Sequence, residues 1–139
     1  MTARESTLGP SALAESAAEA VRTLNHLTLH APSAEVPGWE GVSDVYRVLG
    51  ELRVLVERVP QVLRQVAKHL EQSASSYEVD DAAPAPAAEM IAAAVLGLRR
   101  AQEPLSDAGE LIGAAQSVAA HLYTPAPVRV GGSASMAGG

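Results

Sequence analysis

The chain contains no cysteine and no phenylalanine, a single lysine, and only 3% aromatic residues. Without cysteine there is no disulfide framework, no thiolate-ligated zinc site and no thiol nucleophile. The aromatic side chains are Trp39, Tyr46, Tyr77 and Tyr123, too few for a core built on stacked rings. No uninterrupted apolar run approaches the roughly 18 residues of a membrane span. The opening residues, Met1-Thr2-Ala3-Arg4-Glu5-Ser6, also lack the apolar stretch of a signal peptide. The expectation is a soluble cytoplasmic chain with no membrane insertion, either retained or exported by a route that needs no signal peptide. A basic face is missing as well. The formal net charge of −6 argues against a dedicated nucleic-acid binder.

What is present is small and aliphatic. The length of 139 residues suits one small domain, and 47% of them are hydrophobic, with 27 alanines. Such a chain buries a core through close-packed helices carrying Leu, Val and Ala, so the expected fold is all-α. Nine arginines against the single Lys68, together with the Ala, Gly and Pro load, point to a GC-rich genome.

The first ten residues read as a flexible lead-in ending at Gly9-Pro10. Ser11 then caps a helix to about Leu29, with Leu13, Ala17, Ala20, Leu24 and Leu27 at helical spacing. Pro32 and Pro37-Gly38 mark residues 30–42 as a loop that contains Trp39. Ser43-Asp44 reads as an N-cap and a first-turn acid for a second helix over about 44–72. Its seam is Val45, Leu49, Leu52, Val56, Val59, Leu63, Val66 and Leu70, in alternating steps of four and three, as in a coiled coil. Val48, Leu55 and Val62 widen that stripe beyond what one neighbour covers, so two helices or a partner chain must pack on it. Residues 73–86 lack periodicity and carry three acids, which predicts a mobile linker. A third helix over about 87–123 has the seam Ile91, Ala94, Leu98, Ala101, Leu105, Ala108, Ile112, Ala115, Ala119 and Leu122. Its alternate alanines let a neighbouring backbone approach closely. From Thr124 onward the Gly-, Ser- and Pro-rich composition predicts a disordered tail.

Pro60 and Pro104 interrupt the second and third helices, each removing a backbone donor at a cost of about 3 kcal/mol in a regular helix interior. Both seams keep their phase, so kinks are expected, at similar levels if the helices are antiparallel. The alternative is that Pro104 starts a separate helix.

No catalytic constellation assembles. His26 and His30 share a helical spacing suited to a metal pair but lack a carboxylate to complete it, so capping of a helix end is the better role. His69 and His121 each lack a nucleophile and an orienting acid nearby in sequence. Glu78, Asp80 and Asp81 lack the glycine turn and the oxygen count of a calcium loop. Gly109 and Gly113 permit close helix packing, and Glu110 between them excludes a bilayer setting. Trp39 stands apart. Beside Pro37-Gly38 and Gly41 it either folds back on the helices or anchors a partner.

Trp39-Glu40-Gly41, a W-x-G in the turn between two amphipathic helices, resembles the WxG family of small helical-hairpin substrates of type VII (ESX) secretion. Tyr77-Glu78-Val79-Asp80-Asp81 is similar to the Y-x-x-x-D that such substrates carry after their second helix. The likeness covers about residues 11–81. It implies that Trp39 and Gly41 shape the turn and that Tyr77 and Asp81 are read by the export machinery. The stretch from Pro37 to Leu52 is also similar to small uncharacterised helical proteins of actinobacteria, which bring no known function.

The expectation is therefore an all-α antiparallel bundle of three long helices, non-enzymatic, with no cofactor and no metal. It acts through helix association, with itself or with a similar helical protein, and shows no small-molecule substrate. The expected interaction residues are Trp39, Gly41, Tyr77, Asp81, Leu49, Leu52, Val56 and Leu63. The alternative is an intracellular scaffold or adaptor, for example of a mobile element or plasmid.

Overall fold

A computed structural model describes residues 8–29, 38–123 and 125. The architecture is all-α, with three long helices and no strand among the described residues. They are α1 (Pro10–Leu29), α2 (Val42–Gln72) and α3 (Ala87–Ala119). The chain divides into two units between Asp44 and Val45.

In the first unit, α1 begins at Pro10, where the missing proline donor costs nothing. None of its residues is buried, and of its apolar stripe only Leu24 and Leu27 are half-covered. The expected lead-in of residues 1–7, the loop residues 30–37 and the tail, apart from Pro125, lie outside the described residues.

Helix α2 starts two residues earlier than Ser43-Asp44 suggests, so Ser43 is not its N-cap. Asp44 lies in the first turn, as expected. Its backbone N–H donates to the Gly41 carbonyl at 3.1 Å, and its carboxylate accepts from the Glu40 N–H at 3.5 Å. The first pairs one of the amides that a helix start otherwise leaves free, and the second ties the residue ahead of Gly41 to the first turn.

The second unit is a helical hairpin. Helices α2 and α3 run antiparallel, shown by five pairings that step forward along one helix and back along the other. Gln116 Nε2 donates to the Tyr46 carbonyl at 3.4 Å, and Arg64 Nη1 donates to Gln102 Oε1 at 3.4 Å. Arg53 lies against Gly113, Glu57 against Gly109, and Arg99 pairs with Glu71. Pro60 and Pro104 both fall between the Glu57–Gly109 and Arg64–Gln102 levels. Each helix runs unbroken through its proline, so Pro104 does not begin a separate helix. The carbonyls of Val56 and Arg100, four residues upstream, lose their helical donors at neighbouring levels of the hairpin.

The connection at 73–86 is built rather than structureless. A single 3₁₀ turn, Ala74–Ser76, follows α2, with Ser73 N–H on the His69 carbonyl at 2.9 Å. Asp80 then closes a turn, accepting from Ala82 N–H at its carboxylate and from Ala83 N–H at its carbonyl, both at 3.1 Å.

The buried positions among the described residues are Pro60, Ala67, Val95, Gly109, Gly113 and Ala119, none larger than valine. Two seams differ from the sequence reading. In α2, Ala67 is buried and Val66 exposed. In α3 the closest approach is made by Val95, Gly109 and Gly113, while Ala94 and Ala115 are exposed. Leu122 lies beyond the end of α3 and is exposed. The reason is volume: glycine, with no β-carbon, lets the other helix come nearer than alanine does, and that fixes the rotation of α3.

Candidate functional site

Each residue of an α-helix is turned about 100° from the one before it. The α2 positions that meet α3 are Gly50, Arg53, Glu57, Arg64 and Glu71. The apolar positions Leu49, Leu52, Val56, Leu63 and Leu70 each stand one residue earlier, a little over a quarter turn to one side. The α3 positions that meet α2 are Arg99, Gln102, Gly109, Gly113 and Gln116. Leu98, Ala101, Ala108, Ile112 and Ala115 again stand one residue earlier. Reversing a helix end for end reverses both its direction and its sense of winding as viewed from one end. The same one-residue offset therefore carries both apolar rows to the same side of the antiparallel hairpin. The hairpin has one apolar flank and one polar flank.

On the apolar flank the expected interaction residues Leu49, Leu52, Val56 and Leu63 come together, all half-buried. The backs of both helices, about 200° from the contact rows, also carry open apolar side chains. Leu55 and Val62 of α2 are 39% and 54% exposed, and Leu111 and Val118 of α3 are 72% and 68% exposed. Both pairs repeat at seven residues, so each pair lies along one line of its helix. Leu111 and Val118 were outside the seam read from the sequence; their signal was the spacing, continued by Leu122.

The polar flank is laced. Arg53 Nε donates to Glu57 Oε1 at 2.8 Å, and this contact raises the Arg53 guanidinium above its ordinary range. Further along, Arg64 meets Gln102, and Arg99 meets Glu71.

Trp39 is half-buried just ahead of α2. Gly41 takes a φ of +158°, which residues with a β-carbon rarely adopt, and is the only described residue with positive φ. Tyr77 is exposed, and its hydroxyl is hydrogen-bonded to His69 Nε2 at 2.7 Å, with the two rings edge to face at 6.1 Å. His69, with no nucleophile or orienting acid nearby in sequence, has this phenol as its partner. Tyr77 has extended backbone and Asp81 sits in a turn, so the two do not share a helical face. Asp81 is exposed, and it is the neighbouring Asp80 that makes the turn.

Of the possible metal pair, His26 is exposed and His30 lies outside the described residues. Among the described residues no three His, Asp or Glu side chains gather as a metal site, and no helix is long and apolar enough to cross a membrane. His121 is exposed in the turn after α3.

No protein-family model, curated protein or solved structure matches the chain.

Proposed function

We propose that this is a non-enzymatic protein that works by helix-to-helix association, with a second copy or with a similar helical chain. The observation that supports it is the one-sided apolar flank of the hairpin. Leu49, Leu52, Val56 and Leu63 on it are only half-covered, and Leu55, Val62, Leu111 and Val118 are open on the backs of the two helices. Apolar side chains left open to water at helical spacing are ones that a further helix can cover at matching periodicity.

The specific form of this reading is a WxG-like protein of a type VII secretion locus. Supporting it are the Trp39-Glu40-Gly41 segment directly ahead of α2, the glycine-demanding backbone at Gly41, and the exposure of Tyr77 and Asp81. Absolute mass by light scattering over a concentration series tests the association. The expected result is a dimer, or aggregation that a co-expressed helical protein relieves. A monomer at every concentration, unaffected by such a protein, overturns it. Substituting Tyr77 or Asp81 tests the secretion form: export should stop, whereas an internal adaptor would be indifferent.

A further inference from the structure

The polar flank carries two grooves that share a wall. One, of about 490 Å³, lies beside the N-terminal half of α3 and has apolar sides at Ala88, Ile91, Val95 and Leu96. The other, of about 270 Å³, is lined by Arg64, Lys68 and Gln102 over the buried Ala67. Glu71 and Arg99 line both, so their ion pair forms the junction. Helical phase makes the two continuous: Ala88, Ala92, Val95, Arg99 and Gln102 follow one another at three- and four-residue steps along α3.

The charge of the second groove is opposite to that of the whole chain. Three cations, Arg64, Lys68 and Arg99, face one carboxylate, Glu71, in a protein of formal net charge −6. That carboxylate pairs with Arg99. Arg64 is satisfied only by the neutral amide of Gln102, and Lys68 makes no ion pair with any described residue. Two positive charges are thus held together without a counter-charge, next to an aliphatic trough.

We propose that the joined grooves bind an amphiphilic anion: an aliphatic chain carrying a single carboxylate, of the fatty-acid kind. The carboxylate sits among Arg64, Lys68 and Arg99, where a guanidinium still has donors free after pairing with Glu71. The chain lies in the trough against Ile91, Val95 and Leu96, removing apolar surface from water on both sides. The larger groove by itself has the volume of a small-ligand site, with charge at one end fixing the direction of entry.

The test is a titration of the full chain with octanoate, following backbone amide NMR shifts, beside parallel titrations with acetate and 1-octanol. Octanoate should shift residues 64–71 and 88–102 saturably, while acetate and octanol need far higher concentrations. The double variant Arg64→Gln, Lys68→Gln changes two exposed side chains and should weaken octanoate binding about tenfold, the combined effect of two partly screened charges. Circular dichroism verifies that this variant keeps its helices. The proposal fails if octanoate does not saturate, if acetate or octanol matches it, or if the double variant binds it unchanged.

Discussion

Arg53 and Gly113 face each other across the hairpin so closely that a β-carbon on the glycine would stand 3.2 Å from the guanidinium carbon. One turn away, a β-carbon on Gly109 would stand 3.1 Å from Glu57 Cγ. The Arg53–Glu57 ion pair therefore lies directly over the two glycines. A charged pair on α2 uses the space that two missing side chains leave on α3, and its aliphatic stems cover the glycine backbone from water.

The two glycines should respond differently to substitution. Gly113→Ala meets the far end of a flexible, half-exposed arginine, which swings away at little cost. The helix then gains about 0.8–1 kcal/mol from replacing glycine. Gly109→Leu meets the stem of Glu57 and Val56 near the α2 backbone and must push the helices apart, costing about 1–3 kcal/mol. Urea denaturation of both variants reads the opposite signs.

The register of α2 is decided at Val66 and Ala67. Ala67 is 3% exposed and Val66 is 42% exposed. Ala67→Leu should destabilise by about 1–3 kcal/mol through overpacking, and Val66→Ala by no more than about 0.5 kcal/mol. If thermal melts give the reverse order, α2 is rotated by one residue from the arrangement described.

Pro60 and Pro104 make the same backbone defect in different surroundings. Pro104 is exposed, so Pro104→Ala restores a helical donor and loses no packing, a gain approaching about 3 kcal/mol. Pro60 is buried, and Pro60→Ala gives up part of that gain by removing packed ring atoms. Chemical denaturation should rank the Pro104 variant above the Pro60 variant, and both above the parent chain.

Tyr77→Phe keeps the ring against His69 and removes only its hydroxyl. Because the contact is exposed, the loss in global stability should be at most about 0.5–1 kcal/mol. The local effect is larger. Hydrogen exchange of the amides of Ser76, Tyr77 and Ala82 should accelerate while the middle of α2 stays protected. Unchanged exchange there would mean that the His69–Tyr77 contact does not hold the connection in place.

The sequence alone determined the helices. Four-three spacing of Leu and Val over thirty residues has no strand equivalent, and Gly9-Pro10 and Pro84-Ala85-Pro86 stand at or just ahead of the start of the first and third helices. It also grouped Leu49, Leu52, Val56 and Leu63 on one face, because angular position on a helix follows from residue number alone. The tertiary structure decided which face meets which neighbour. Hydrophobicity favours the alanine row Ala94–Ala101–Ala108–Ala115 as the contact, but the separation of two helices depends on the volume between them, and Gly109 and Gly113 leave less of it. That contact turned the apolar rows of both helices to a single flank, brought Arg64, Lys68 and Arg99 to the other, and set His69 beside Tyr77. These are relations between positions far apart in the chain, and no local pattern encodes them.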